Sequence, residues 1–253
     1  MDLTDCVNGF SGAASAFPFL YPRLKRIFFI TGTDTGVGKT VLTALLVKFL
    51  REQNVNATAL KPISSGNRDD ARKFFAAMNG LKVQSPKPKA QSLSLNEINP
   101  WHFRTPVAPL LAARRENKKV KLSEVVARVR AMQKRFDVLF VEGAGGLLSP
   151  LGENFNSRDL ILALHAKPIV VTQNKLGVIN QILLTFEALP KNFRAKAKFV
   201  LMSPARLDAS TNSNAQLLLK WISPRRIFQL PHFGEKIKPE QISENFLQRI
   251  VAD

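Results

Sequence analysis

Short runs of consecutive apolar residues alternate along this chain with stretches in which apolar residues recur every three or four positions. Runs of the first kind cover 26–31, 57–61, 138–141, 168–172, 198–202 and 227–230. Each is short and apolar throughout, as a strand buried on both faces requires. Leu42, Leu45, Leu46, Phe49 and Leu50 have helical spacing, and so do Leu122, Val125, Val126 and Val129. Helices are predicted there and over 69–78, 181–189, 211–221 and 239–251. Residues 79–96 are polar and basic, with Pro86 and Pro88, and read as a surface loop. Strand–helix alternation of this kind predicts an α/β fold with a mostly parallel central sheet flanked by helices. Ligands of such sheets sit at the carboxyl ends of the strands. The chain shows no internal repeat and no second apolar core, so a single domain over 26–253 is expected.

Residues 1–25 do not share the pattern. Phe10, Phe17, Phe19, Leu20 and Tyr21 are scattered among small residues, Pro18 and Pro22. Asp2 and Asp5, with no basic region ahead of the apolar part, argue against a signal or transit peptide. A poorly ordered extension is expected here, on a cytoplasmic protein. Cys6, the one cysteine, reads as a bystander thiol, and its solitude excludes an internal disulfide framework or a multi-cysteine metal cage. No apolar run approaches the roughly 18 residues of a membrane-crossing helix.

Charge changes the picture in one respect. Against 19 Asp and Glu stand 37 Lys and Arg, a net charge of +18, which attracts nucleic acid, anionic lipid and phosphorylated ligands alike. The basic residues are dispersed and form no run of the roughly five like charges typical of a binding tail. Neither a membrane nor nucleic acid is therefore the expected partner. His102, His165 and His232 have no metal-ligand spacing.

The stretch Gly32-Thr33-Asp34-Thr35-Gly36-Val37-Gly38-Lys39-Thr40 follows a predicted strand and opens a predicted helix. In that context a glycine-rich turn is a phosphate-binding loop, a P-loop. Gly36 and Gly38 let backbone N–H groups turn toward phosphate oxygens, Lys39 reaches the β and γ phosphates, and the Thr40 hydroxyl is placed for Mg²⁺. The strict G-x-x-x-x-G-K-[ST] pattern would need glycine at position 33, where Thr33 stands; the glycine is one place earlier. A P-loop needs an acid across the site to complete the Mg²⁺ shell. Glu142, at the end of strand 138–141, suits that role, and one of Asp69 and Asp70 suits a second. Lys61 ends another strand on the ligand side, with Ser64 and Ser65 just beyond it.

Taken in order, these motifs resemble the dethiobiotin synthetase family. The residues that carry the resemblance are Gly32-Thr33-Asp34-Thr35 with Val37-Gly38-Lys39-Thr40, Lys61-Pro62 with Ser65-Gly66, and Asp70-Ala71. Asn99-Pro100, Val141-Glu142-Gly143-Ala144-Gly145-Gly146 and Lys175-Leu176-Gly177 with Ile179-Asn180 complete the set, over about 26–233. The resemblance implies a P-loop NTPase-like fold and an ATP- and Mg²⁺-dependent reaction. In it 7,8-diaminononanoate takes up CO₂ as a carbamate, which attacks the γ phosphate. The resulting carbamic–phosphoric anhydride closes to the cyclic urea dethiobiotin, a step of biotin synthesis.

By position, the resemblance implies that residues 33–40 hold nucleotide and that Lys39, Lys61, Thr35 and Ser65 serve catalysis. It likewise gives Mg²⁺ to Thr40, Asp70 and Glu142. Gly177, Val178, Ile179 and Asn180 would hold the substrate carboxylate across the interface of a homodimer. Departures are visible. Gly36 stands where some members have Glu, Pro106-Val107-Ala108-Pro109 replaces a Ser-Pro-His type of sequence, and Met202-Ser203-Pro204 stands where some members carry an adenine-reading Asn-Asp. The competing reading is a partition or positioning ATPase that binds DNA or membrane. That group usually carries an additional lysine early in the loop, where Thr33 and Asp34 stand.

Overall fold

The apolar runs pair side by side as expected. The structure, a computed structural model, describes residues 25–79, 93–232 and 242–252. The extension expected before residue 25, Cys6, most of the loop expected over 79–96 and the start of the helix expected over 239–251 lie outside these residues. In chain order the elements are β1 (Arg26–Gly32), α1 (Lys39–Glu52), β2 (Ala57–Leu60), β3 (Ile63–Ser65), α2 (Asp69–Asn79), α3 (Leu95–Ile98), β4 (Trp101–Phe103), α4 (Pro109–Arg115) and α5 (Leu122–Gln133). There follow β5 (Val138–Gly146), β6 (Pro150–Gly152), β7 (Phe155–Asn156), α6 (Ser157–Leu164), β8 (Lys167–Gln173), α7 (Val178–Ala188) and α8 (Lys191–Arg194). The last are β9 (Lys198–Met202), α9 (Thr211–Leu218), β10 (Ile227–Leu230) and α10 (Glu244–Val251).

Six strands form one sheet in the order β10-β9-β8-β1-β5-β2, and every pair is parallel. The α/β expectation therefore holds. Phe28, Phe29 and Ile30 of β1 and Leu139, Phe140 and Val141 of β5 are buried on both faces, with the Phe28 and Phe140 rings stacked at 5.4 Å. Among the described residues no helix is long and apolar enough to cross a membrane.

The topology explains where a ligand belongs. Neither neighbour of β1 follows it in sequence: β5 lies on one side and β8 on the other. Connections leaving the two sides diverge at such a strand and open a crevice beyond its carboxyl end. There the chain turns from Gly32 through the P-loop into α1. The register fixes a second feature. Leu60 of β2 lies opposite Val141 of β5. The residues that follow them, Lys61 and Glu142, therefore emerge at the same level beside the crevice.

Several elements were not foreseen. Parallel strands β3 and β4 and the β6–β7 hairpin are two or three residues long, too short to show periodicity. In α6 a capping box joins Asn156 and Asp159, a start signal set among residues whose apolar run is too short to stand out. Strand β5 continues through the glycine-rich stretch to Gly146, so Glu142 lies within the strand rather than after it. The helix expected over 211–221 ends three residues early, at Leu218.

Candidate active site

The P-loop takes its shape from two glycines. Gly36 and Gly38 have φ of 74° and 101°, a left-handed geometry that favours glycine. A Cβ at Gly38 would also stand 3.0 Å from the Met202 side chain. Lys39 reaches back over the loop and donates to the Asp34 carbonyl at 2.7 Å. The Asp34 carboxylate accepts from the Thr35 N–H at 2.6 Å. Burial, aided by the nearby Lys61 charge and opposed by Glu142, pushes the Lys39 ammonium down to about 8.

Across the loop the charged residues meet. Lys61 Nζ donates to Glu142 Oε1 at 2.6 Å and to Asp70 Oδ2. Burial works against the Lys61 ammonium, yet the two carboxylates outweigh it and hold the group above its ordinary value. Burial likewise opposes the Asp70 carboxylate, and Lys61 more than compensates, holding it below its ordinary value. Thr40 Oγ1 donates to Glu142 Oε1 at 2.9 Å. Asp69 does not join them: its carboxylate is half exposed and pairs with Arg72 at 3.0 Å. Of the two adjacent aspartates, Asp70 is the one at the site.

The supporting roles of two residues, Thr43 and Asn99, were not visible in the sequence. Thr43 Oγ1 lies 3.0 Å from Glu142 Oε2 and 2.9 Å from the Lys39 carbonyl, so its single proton serves one or the other. Between them, Thr40 and Thr43 address both oxygens of Glu142. Asn99 is buried and donates to the Lys61 carbonyl at 2.7 Å, while its own oxygen accepts from Ser64 and Arg68. It ties the end of β2 to the β3–β4 layer. Its presence among the motif residues was visible in the sequence, but its bracing role was not.

A cavity of about 730 Å³ joins these groups. Thr35, Gly36, Gly38, Lys39, Thr40, Lys61, Ser65 and Asp70 line it. Ser65 donates to the Val107 carbonyl at 2.5 Å, which couples it to the segment before α4. Thr33 faces away: its hydroxyl is 2.8 Å from that of Thr172, and its N–H donates to the Val171 carbonyl. Val37 is buried, and the first cavity does not reach it. Residues 177–180 also lie outside this cavity, at the start of α7, where Val178 is buried and Gly177 and Asn180 are exposed.

A second cavity, of about 600 Å³, adjoins the first behind Gly36 and Gly38. Gln173, Met202, Ser203, Pro204 and His232 form its far wall. The nearby amide of Asn174 is spent inside the fold, donating to the Thr211 carbonyl and accepting from Asn214.

The oxygen set of Thr40, Asp70 and Glu142 suits a hard cation. Mg²⁺ is held in nucleotide sites by one or two carboxylates, a hydroxyl and the phosphates themselves. Among the described residues no group of three or more His, Cys, Asp or Glu is clustered to hold a metal alone.

Comparison with known proteins decides between the P-loop classes. The model of the AAA domain family matches residues 26–235. ATP-dependent dethiobiotin synthetase BioD of Thermodesulfovibrio yellowstonii is 32% identical over 237 residues, covering 89% of this chain and 96% of that protein. The enzyme of the same name from Bacillus velezensis is 33% identical, covering 89% and 92%. That from Anaeromyxobacter sp. strain Fw109-5 is 40% identical over 168 residues. The chain belongs to the dethiobiotin synthetase family.

In this chain a lysine, Lys61, is set between two carboxylates beside the P-loop. A dethiobiotin synthetase is an ATP-dependent ligase. Of the three departures noted in the sequence, Gly36 and Met202-Ser203-Pro204 line the second cavity, whereas Pro106-Val107-Ala108-Pro109 lines the first, as Gly36 also does.

Proposed function

We propose that this chain makes dethiobiotin from 7,8-diaminononanoate, CO₂ and ATP, with Lys61 at the centre of the substrate site. The observation that carries the reading is that Lys61 and Asp70, with Glu142 buried behind them, face the same cavity as Lys39 and Thr40. Triphosphate would lie along residues 34–39, with backbone N–H groups and Lys39 around its oxygens. Thr33, turned toward β8, would shape the loop rather than touch phosphate. Thr40, Asp70 and Glu142 would hold Mg²⁺, which when bound offsets phosphate charge.

An anionic carbamate must approach an anionic triphosphate. Cations fixed in a water-poor cavity reduce that repulsion far more than solvent does. Lys61 would hold the carbamate from one side and Lys39 the γ phosphate from the other. Thr35 and Ser65, which both line the cavity, would orient the carbamate. The second amine sits on the adjacent carbon, so holding the carbamate still makes ring closure effectively unimolecular.

The second cavity would take the base. Gln173 is the side-chain amide on its wall and offers both a donor and an acceptor. It would supply the contact that Met202-Ser203 does not. Replacing Gln173 with Ala should raise the KM for ATP severalfold with little change in kcat; equal loss with ATP and CTP would assign the residue no role in base choice.

The substrate carboxylate would rest on backbone N–H groups of Gly177–Asn180 from a second copy of the chain, a helix start being a natural anion site. Leu148, Leu176 and Leu184 are 53%, 81% and 63% exposed near the P-loop and α7, apolar surface that a homodimer would cover. The reaction would take place in the cytoplasm.

Phosphate release with Mg²⁺, ATP and bicarbonate tests the reading. Release should depend on the diamine. Equal release without it would leave a P-loop ATPase of another kind.

A further inference from the structure

The end of the sheet opposite the P-loop carries a feature that dethiobiotin synthesis does not use. A cavity of about 660 Å³ opens at the amino ends of β1, β8, β9 and β10. Its walls carry six cations, Lys167, Lys196, Lys198, Arg225, Arg226 and Arg249, and no Asp or Glu among the described residues. Its floor is apolar, made by Phe28, Pro168 and Ile169.

Neutral groups fix three of these cations, Lys198, Arg226 and Arg249. Lys198 donates to the carbonyls of Arg249, Ile250 and Ala252, at 2.8, 3.1 and 2.5 Å, and so ties α10 to the sheet. Arg226 donates to the Arg194 carbonyl at 2.7 Å and lies over the Phe186 ring. Arg249 lies over the Phe228 ring. Carbonyls and ring faces fix a cation's position but leave its charge. Lys198 shows the result: burial first, then Lys167, Arg26 and Arg249, pushes its ammonium down to about 8. Concentrated positive charge over an apolar floor favours an anion that also has an apolar body.

We propose that this cavity is a second ligand site, separate from the P-loop, for a small organic anion. Its phosphate or carboxylate would be gripped by Lys196, Arg225 and Arg249, and its apolar body laid on Phe28, Pro168 and Ile169. The volume lies within the usual range for sites of that ligand size. A concave site with an apolar floor favours a compact ligand over a nucleic-acid backbone, which needs a long open track of charge. The site accounts for part of the +18 charge that the reaction leaves unexplained.

The test uses the full-length protein, its P-loop saturated with Mg²⁺ and a non-hydrolysable ATP analogue. Binding of 1-naphthyl phosphate is followed by calorimetry, beside inorganic phosphate and a short DNA duplex. Lys196 and Arg225 are exposed, so the double variant K196A/R225A should fold and keep diamine-dependent turnover. Naphthyl phosphate should bind the wild type more tightly than inorganic phosphate, and the double variant at least about tenfold more weakly, the loss expected for two charge-assisted contacts. Unchanged affinity in the variant would overturn the proposal, as would no binding to the wild type. Tighter binding of the duplex than of naphthyl phosphate, lost in the same variant, would also overturn it by giving the face to nucleic acid.

Discussion

At the scale of single residues, the site is a problem of charge held out of water. Lys61 is almost fully buried, and it is stable there because two carboxylates face it. Removing one partner of such a group leaves an uncompensated charge, whereas the intact cluster is neutral enough to persist. Both lysines and Glu142 were legible in the sequence, since each is a charged residue at the end of an apolar run or within a glycine-rich loop. Thr43 was not. A threonine inside a helix most often bonds the carbonyl four residues back, and Thr43 has that option at Lys39. Only the fold shows its second acceptor. Thr43→Val keeps the shape and removes that bond to Glu142. Mn²⁺ titration with nucleotide present should show affinity weakened by roughly tenfold, as for other groups that orient a ligand. Unchanged affinity would mean that Thr40 alone positions the carboxylate.

The Lys39 ammonium gives a pH signature. Its proton is held only up to about pH 8 in the free protein. Triphosphate beside it favours the charged form, so binding raises its affinity for the proton. Above pH 8 the nucleotide is fully ionised, and ATP binding should therefore take up a proton; below about pH 7 Lys39 is already charged and should take up none. Calorimetry in buffers of different ionisation enthalpy reads the difference. Equal, negligible uptake at both pH values would contradict this role of burial.

At the scale of elements, the strands and the longer helices were legible because their patterns run for several residues. Strands β3 and β4 have three residues each, and nothing periodic marks them. Yet they carry Ser64 and Ser65 and, through Asn99, brace Lys61. The placement of Lys61 beside Glu142 is likewise a register fact, Leu60 opposite Val141, which follows from sheet order and not from either segment alone. The P-loop shows the same limit. Its glycines are evident, but the contact of Gly38 with Met202 joins parts of the chain far apart in sequence. Gly38→Ala would meet both a left-handed φ and that side chain. Nucleotide affinity should fall by an order of magnitude or more, while the cost to stability stays near the 1–3 kcal/mol of one strained residue. Wild-type affinity for ATP in this variant would show that the loop adapts.

At the scale of the molecule, one parallel sheet carries a charged cavity at each end. The carboxyl end gathers opposed charges around the cavity proposed for the reaction. The amino end gathers cations over an apolar floor. The architecture was legible from the alternation of strands and helices, and the P-loop with its partners from their order along the chain. The amino-end cavity was not, because its cations come from separate segments, each unremarkable alone.

The central claim is that Lys61 holds a carbamate that becomes the urea carbon of dethiobiotin. The most direct measurement supplies ¹³C-bicarbonate, Mg²⁺-ATP and 7,8-diaminononanoate, and follows the label by mass spectrometry. The wild type should form dethiobiotin with one ¹³C for each phosphate released, and Lys61→Ala should bind ATP normally yet form almost none. Labelled product from Lys61→Ala at the wild-type rate, or phosphate release without labelled product in the wild type, would contradict the account.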